Sequence, residues 1–143
     1  MNPMKLVLAG LLLAATGTDL AGRKIPNALI GAGLCLFLAS ALWRLFGGDI
    51  AYCAGCLLAG ALAFALHLVP YLLRGMGAGD VKLALVMGLL MGWQDWLGHL
   101  GCYCLVLLFA AALTLIPRKK KPKTLPLAPM MAAAYFLYLL PMI

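Results

Sequence analysis

Gly75-Met76-Gly77-Ala78-Gly79-Asp80-Val81-Lys82-Leu83 interrupts a chain otherwise made of long apolar runs. Three glycines alternate with small or flexible residues. An aspartate follows, and an apolar run resumes at once. An aspartate and a lysine beside membrane-embedded segments are energetically expensive, which makes them candidates for function. Of the 143 residues, 66% are hydrophobic and 10% are charged, whereas a soluble domain has about a quarter of its residues charged. The composition excludes a soluble globular enzyme and predicts an integral membrane protein. No shift in composition separates the halves, so residues 1–143 read as one membrane domain.

Outward from that stretch, the apolar runs predict an all-α, polytopic protein of about six transmembrane helices. The expected spans are residues 3–18, 27–46, 50–73, 81–92, 97–116, and from 125 to the end. The first follows a single lysine, as a signal peptide does, but it is read as a retained helix because cleavage would strand Asp19. Pro26 suits the first turn of the second helix. Pro70 is expected to kink the third. The fourth is short for a hydrocarbon core of about 30 Å. Trp93-Gln94-Asp95-Trp96 reads as an interfacial belt.

Eleven Lys and Arg face four acids, all of them aspartates. Arg23, Lys24, Arg74, Lys82, Arg118, Lys119, Lys120, Lys121 and Lys123 fall in loops one, three and five; only Lys5 and Arg44 fall on the other side. This asymmetry puts the odd loops in the cytoplasm and both termini outside. The excess cations are topology signals, not a nucleic-acid surface; contact of the 117–123 run with anionic lipid is a secondary role. Cys35, Cys53, Cys56, Cys102 and Cys104 all lie in apolar runs, and Cys53-x-x-Cys56 reads as small helix residues more than as half a zinc site. His67 is expected to be hydrogen-bonded inside the bundle, and Met87, Met91, Met130 and Met131 to be packing residues.

The same topology sorts the acids. Asp49 and Asp95 fall at the outer face and read as solvated loop acids. Asp19 ends the first span and Asp80 starts the fourth, both at the cytoplasmic face. Paired carboxylates can run peptide hydrolysis: one is the base on a water, and the other, protonated, donates to the scissile carbonyl. The bland reading of Asp80 is a cap of the fourth helix. Helix dipoles favour a charged Asp80 at an N-terminus and disfavour a charged Asp19 at a C-terminus. On that ground Asp80 is expected to be the base and Asp19 the donor. Gly77 and Gly79 permit positive φ and close approach, and are expected to form a bare strip for an extended substrate. Gly60, Gly88 and Gly92 read as helix-packing residues.

Gly77-Ala78-Gly79-Asp80 resembles the G-x-G-D signature of intramembrane-type aspartyl proteases, and its continuation Val81-Lys82-Leu83 resembles that of type IV prepilin peptidases. Asp19 stands six residues before Ile25-Pro26-Asn27, as the family's first aspartate does, and Pro126-Leu127-Ala128-Pro129 is similar to its late Pro-x-Ala/Gly-Pro element. The resemblance implies a multi-pass enzyme of the cell inner membrane. Such enzymes cut the short basic leader from prepilins or pilin-like precursors, after a glycine, at the cytoplasmic edge of the substrate's hydrophobic helix. It implies Asp19 and Asp80 as the catalytic pair, with no metal or organic cofactor. It implies Ile25, Pro26, Asn27, Ala78 and Lys82, with the two glycines, Pro126 and Pro129, as residues that shape the site or meet substrate. The long first loop of the bifunctional members, with two Cys-x-x-Cys pairs, is missing. The chain thus resembles the short, peptidase-only branch found with tight-adherence pili, and N-methylation is not expected. Preflagellin peptidases share these motifs. A small proton-coupled transporter is the alternative from another class, but transporters usually keep their key acids near the bilayer midplane.

Overall fold

A computed structural model describes residues 3–22, 25–73, 76–115 and 127–140, with the side chains of Pro3 and 109–115 left aside. Six α-helices form within them: α1 (Pro3–Gly22), α2 (Asn27–Phe46), α3 (Ile50–Leu72), α4 (Ala78–Met91), α5 (Trp96–Leu115) and α6 (Ala128–Leu139), with a 3₁₀ turn at Trp93–Asp95. No strand occurs among the described residues. α1 from Met4, α2 and α3 are each long and apolar enough to cross a membrane. The chain is an all-α membrane protein.

Local chemistry sets the helix ends. Pro26 precedes α2, and its carbonyl accepts the Leu29 N–H at 3.0 Å. Gly48 turns the chain after α2 at φ +79°, a backbone that glycine adopts at little cost. Asp49 then caps α3, its carboxylate accepting the Tyr52 N–H at 3.1 Å. Gly92 ends α4 at φ +73°. It was expected to be a packing residue; its conformation is what calls for glycine, although a Cβ there would also lie 3.1 Å from Cys56 Sγ. Pro70 lies in the last turn of α3, which ends two residues later.

α4 is the buried centre of the bundle. Its residues from Val81 to Met91 are all buried except Lys82 and Leu85. A helix that is apolar all round belongs inside. α3 packs along its length, α1 and α2 lie against other sides, and α6 runs between α1 and α5. This explains the short fourth run: fourteen residues reach about 21 Å, and neighbouring helices rather than lipid surround them. α1 extends four residues past its expected end and α4 starts three before its expected start, so both Asp19 and Asp80 lie within helices. Arg23, Lys24, Arg74 and the 116–126 segment, which carries the polybasic run and the expected start of the sixth span, lie outside the described residues.

Asp95 is a correction. It is not a solvated loop acid, because Lys5 Nζ lies 3.1 Å and the Tyr138 hydroxyl 2.8 Å from its Oδ1. The Tyr135 hydroxyl donates to the Lys5 carbonyl at 3.1 Å. The 3₁₀ turn that holds Asp95 is thereby tied to the start of α1 and the end of α6. Asp49, by contrast, stays open to water and pairs with Arg44 at 3.5 Å. Asp95→Ala removes the acceptor of both donors and is expected to destabilise the fold by about 1–3 kcal/mol. Asp49→Ala is expected to lose about 1 kcal/mol, mostly from the cap. Thermal unfolding of the two variants in detergent checks the order.

Candidate active site

Asp19 lies in the last turn of α1 and Asp80 in the first turn of α4. The two helices pack together. Each aspartate is only 7% exposed. Both line one cavity of about 300 Å³, open at the protein surface, together with Ile25, Asn27, Gly77, Ala78, Gly79 and Lys82.

The neighbours of each carboxylate differ. Asp80 is the third residue of α4, and its Oδ2 accepts the Gly77 N–H at 3.2 Å. That is one half of a capping box; Gly77 has no side chain to supply the other. Asp19 Oδ2 accepts the N–H of Ala128, the first residue of α6, at 3.4 Å. Asp80 precedes the apolar run of α4. Burial pushes its carboxyl up to about 6, the nearby Asp19 carboxyl pushes the same way, and the Gly77 N–H opposes both. A carboxyl titrating near 6 rather than near 4 corresponds to roughly 3 kcal/mol. That outweighs a helix-terminus effect of about 0.3–1 kcal/mol. Moreover, Asp19 also faces a helix N-terminus, that of α6. Both carboxylates thus accept an N–H at a helix start, so the expected dipole asymmetry does not tell the base from the donor.

The glycines are present for space, not for positive φ. Gly77 has φ −81° and ψ 152°, ordinary extended backbone, and the positive-φ glycines among the described residues are Gly48 and Gly92. A Cβ on Gly77 would sit 3.0 Å from Asp80 Oδ2, and one on Gly79 would sit 3.3 Å from Ile25 Cβ. Any larger residue at 77 would crowd the carboxylate, and one at 79 would press on the Ile25 side chain. Lys82 donates from Nζ to Asn27 Oδ1 at 3.3 Å. With Ile25 on Gly79, this bond holds the segment after α1 against the start of α4. Ala78 is exposed on the cavity wall.

Not every expected residue gathers here. Pro26 is exposed and Pro129 lies in the first turn of α6, and neither lines the cavity. Pro126 lies outside the described residues. The Ala128 N–H was missed by sequence reasoning. A proline in the first turn does mark a helix start at this point, but no sequence signal says that this start faces Asp19. Two buried carboxylates and a lysine around one surface opening are groups that can run acid–base chemistry. No curated protein and no solved structure matches the chain. The model of one family, described as the type IV leader peptidase family, matches residues 6–137, and so nearly the whole chain, with both aspartates, belongs to that peptidase family.

Proposed function

We propose that this protein is an aspartyl endopeptidase that removes the basic leader from prepilins or pilin-like precursors. It acts at the cytoplasmic face of the inner membrane, with six spans and both termini outside. The observation that carries the reading is the meeting of Asp19 and Asp80, from helices far apart in sequence, on one surface cavity. The precursor's hydrophobic helix enters from the bilayer, and its basic leader stays in the cytoplasm.

Asp80 holds the shared proton, in keeping with its burial, and Asp19 is the base. Asp19 takes a proton from a water as the oxygen attacks the scissile carbonyl carbon, and Asp80 donates its proton to the carbonyl oxygen. When the tetrahedral adduct collapses, the C–N bond breaks. Asp19 passes its proton to the leaving amine, and Asp80 recovers one from the adduct hydroxyl. Neither a metal nor an organic cofactor takes part.

Co-expression with a prepilin tests the assignment. The wild-type chain is expected to yield the shortened pilin, and Asp19→Ala or Asp80→Ala none. Equal processing by all three sinks it.

A further inference from the structure

At the end of the bundle away from the aspartates lies a cavity of about 710 Å³ that leader cleavage does not use. Its walls include Met4 of α1, Leu36, Trp43 and Arg44 of α2, Asp49, and Tyr52 of α3. α2 starts at Asn27, beside the aspartate cavity, and ends at Phe46. Its twenty residues reach about 30 Å, so this cavity sits at the opposite edge of the bilayer.

The two halves of the cavity differ in chemistry. Leu36 and Trp43 stand seven residues apart on one face of α2, and both are exposed, Trp43 by 82%. A tryptophan in the last turn of a membrane helix belongs where hydrocarbon meets headgroups. The other half is ionic. Arg44 Nη1 lies 3.5 Å from Asp49 Oδ2, and both side chains are about half exposed. A direct hydrogen bond between such charges is shorter, about 2.7–2.9 Å, so the pair leaves room for a further partner. The guanidinium also lies over the Tyr52 ring, 4.6 Å from its centroid. It has five N–H donors, and among the described residues this carboxylate and this ring are its contacts. Asp49 Oδ1 takes the Tyr52 N–H, while Oδ2 is shared only with Arg44.

These halves define the occupant. α2 and α3 are each long and apolar enough to cross a membrane, so an acyl chain reaches the exposed Leu36 and Trp43 from the bilayer. The volume is that of a small-molecule site, about 300–1,000 Å³. An anionic headgroup would satisfy Arg44 but be repelled by Asp49. A zwitterion whose phosphate and primary ammonium are two carbons apart satisfies both. Its phosphate accepts from the guanidinium, whose planar fork suits phosphate oxygens, and its ammonium donates to the carboxylate. A choline headgroup has no N–H for Asp49, and the aromatic ring that could hold it already carries Arg44.

We propose that this cavity binds one phosphatidylethanolamine molecule, with Arg44 on its phosphate, Asp49 on its ammonium and an acyl chain along Leu36 and Trp43. The lipid ties the start of α1 to the turn between α2 and α3. The site is separate from the aspartate cavity and does not depend on the reading of that cavity.

The test uses the full chain, delipidated in detergent. Phosphatidylethanolamine, phosphatidylglycerol or phosphatidylcholine of matched acyl chains is added to the micelles, and native mass spectrometry counts the lipid retained. One phosphatidylethanolamine per chain is expected, with a rise in unfolding midpoint, and about tenfold weaker retention of the other two lipids. Arg44→Gln is expected to lower phosphatidylethanolamine retention about tenfold. Asp49→Asn keeps the cap of α3, because asparagine caps as well as aspartate. It is expected to bring phosphatidylethanolamine down to the level of phosphatidylcholine. An exposed ion pair adds little to stability, so both variants are expected to unfold near the wild-type midpoint when no lipid is present. Phosphatidylglycerol held as tightly as phosphatidylethanolamine would reduce Arg44 to a general anion contact and overturn the proposal. So would no retained lipid, or phosphatidylethanolamine retention unchanged in both variants.

Discussion

Asp80→Asn is expected to abolish leader cleavage and at the same time to stabilise the protein at neutral pH. Loss of a proton-transfer partner removes about 10²–10⁴-fold in rate, and Asp19→Asn is expected to match it. The stability effect belongs to Asp80 and has a definite sign. Its carboxyl titrates near 6 in the folded chain, above its ordinary range. Well below pH 4 both folded and unfolded forms are protonated, and burial costs nothing extra. As pH rises through 6 the folded chain must hold a buried charge that the unfolded chain keeps in water, so wild-type stability falls. An asparagine carries no such charge, and its carbonyl oxygen can still accept the Gly77 N–H. The unfolding midpoint of Asp80→Asn is thus expected to exceed that of wild type by several degrees at pH 7.5 and to approach it below about pH 3. Unfolding in detergent at the two pH values, beside a cleavage assay on the same preparations, reads both effects. An unchanged midpoint at pH 7.5 would show that the carboxyl is not held against its charge. Retained cleavage by Asp80→Asn would remove it from the chemistry. A site that stores strain for its reaction at the expense of the fold is a common trade-off.

Much of this site was legible because its residues follow apolar patterning. The runs placed Asp19 and Asp80 at the two span ends that meet, and the glycines before Asp80 marked a tight approach. What the sequence left open depends on packing between distant segments. Asp19 appeared to face only the C-terminus of its own helix; the start of α6, more than a hundred residues away, supplies an N–H that removes the expected electrostatic contrast with Asp80. Asp95 appeared solvated because it lies in a turn, yet Lys5 and Tyr138 enclose it from opposite ends of the chain. The short fourth run gave no sign of being central, since fourteen apolar residues read alike whether they face lipid or protein. Its surroundings, not its composition, make it the axis of the bundle.

Gly88→Ala, a change of one methyl group, is expected to be among the most damaging in the chain. α3 and α4 approach so closely that a Cβ at Gly88 would lie 2.7 Å from the Ala59 carbonyl oxygen, 2.7 Å from Ala63 Cβ and 2.9 Å from Gly60 Cα. Two of these atoms are backbone, so no rotamer change relieves the clash, and the helices must separate. Gly60 is packed just as tightly, with a Cβ there 2.6 Å from Leu89 Cγ and Cδ2. Small residues at facing positions are how helices gain contact where lipid offers no hydrophobic drive. Overpacking of this kind costs about 1–3 kcal/mol, even after the helix-propensity gain of up to about 1 kcal/mol from replacing glycine. Gly31→Ala in α2 isolates that gain, because nothing lies within 4 Å of a Cβ there. The unfolding midpoint is therefore expected to fall for Gly88→Ala and to hold or rise for Gly31→Ala. Cleavage is expected to follow the same order. α4 carries Asp80 at its start, and a misplacement of about 1 Å in a catalytic group costs on the order of 10²-fold in rate. If the two alanines behave alike in both assays, the close α3–α4 contact does not set the position of Asp80. If Gly88→Ala loses cleavage with its midpoint unchanged, the contact positions Asp80 without limiting stability.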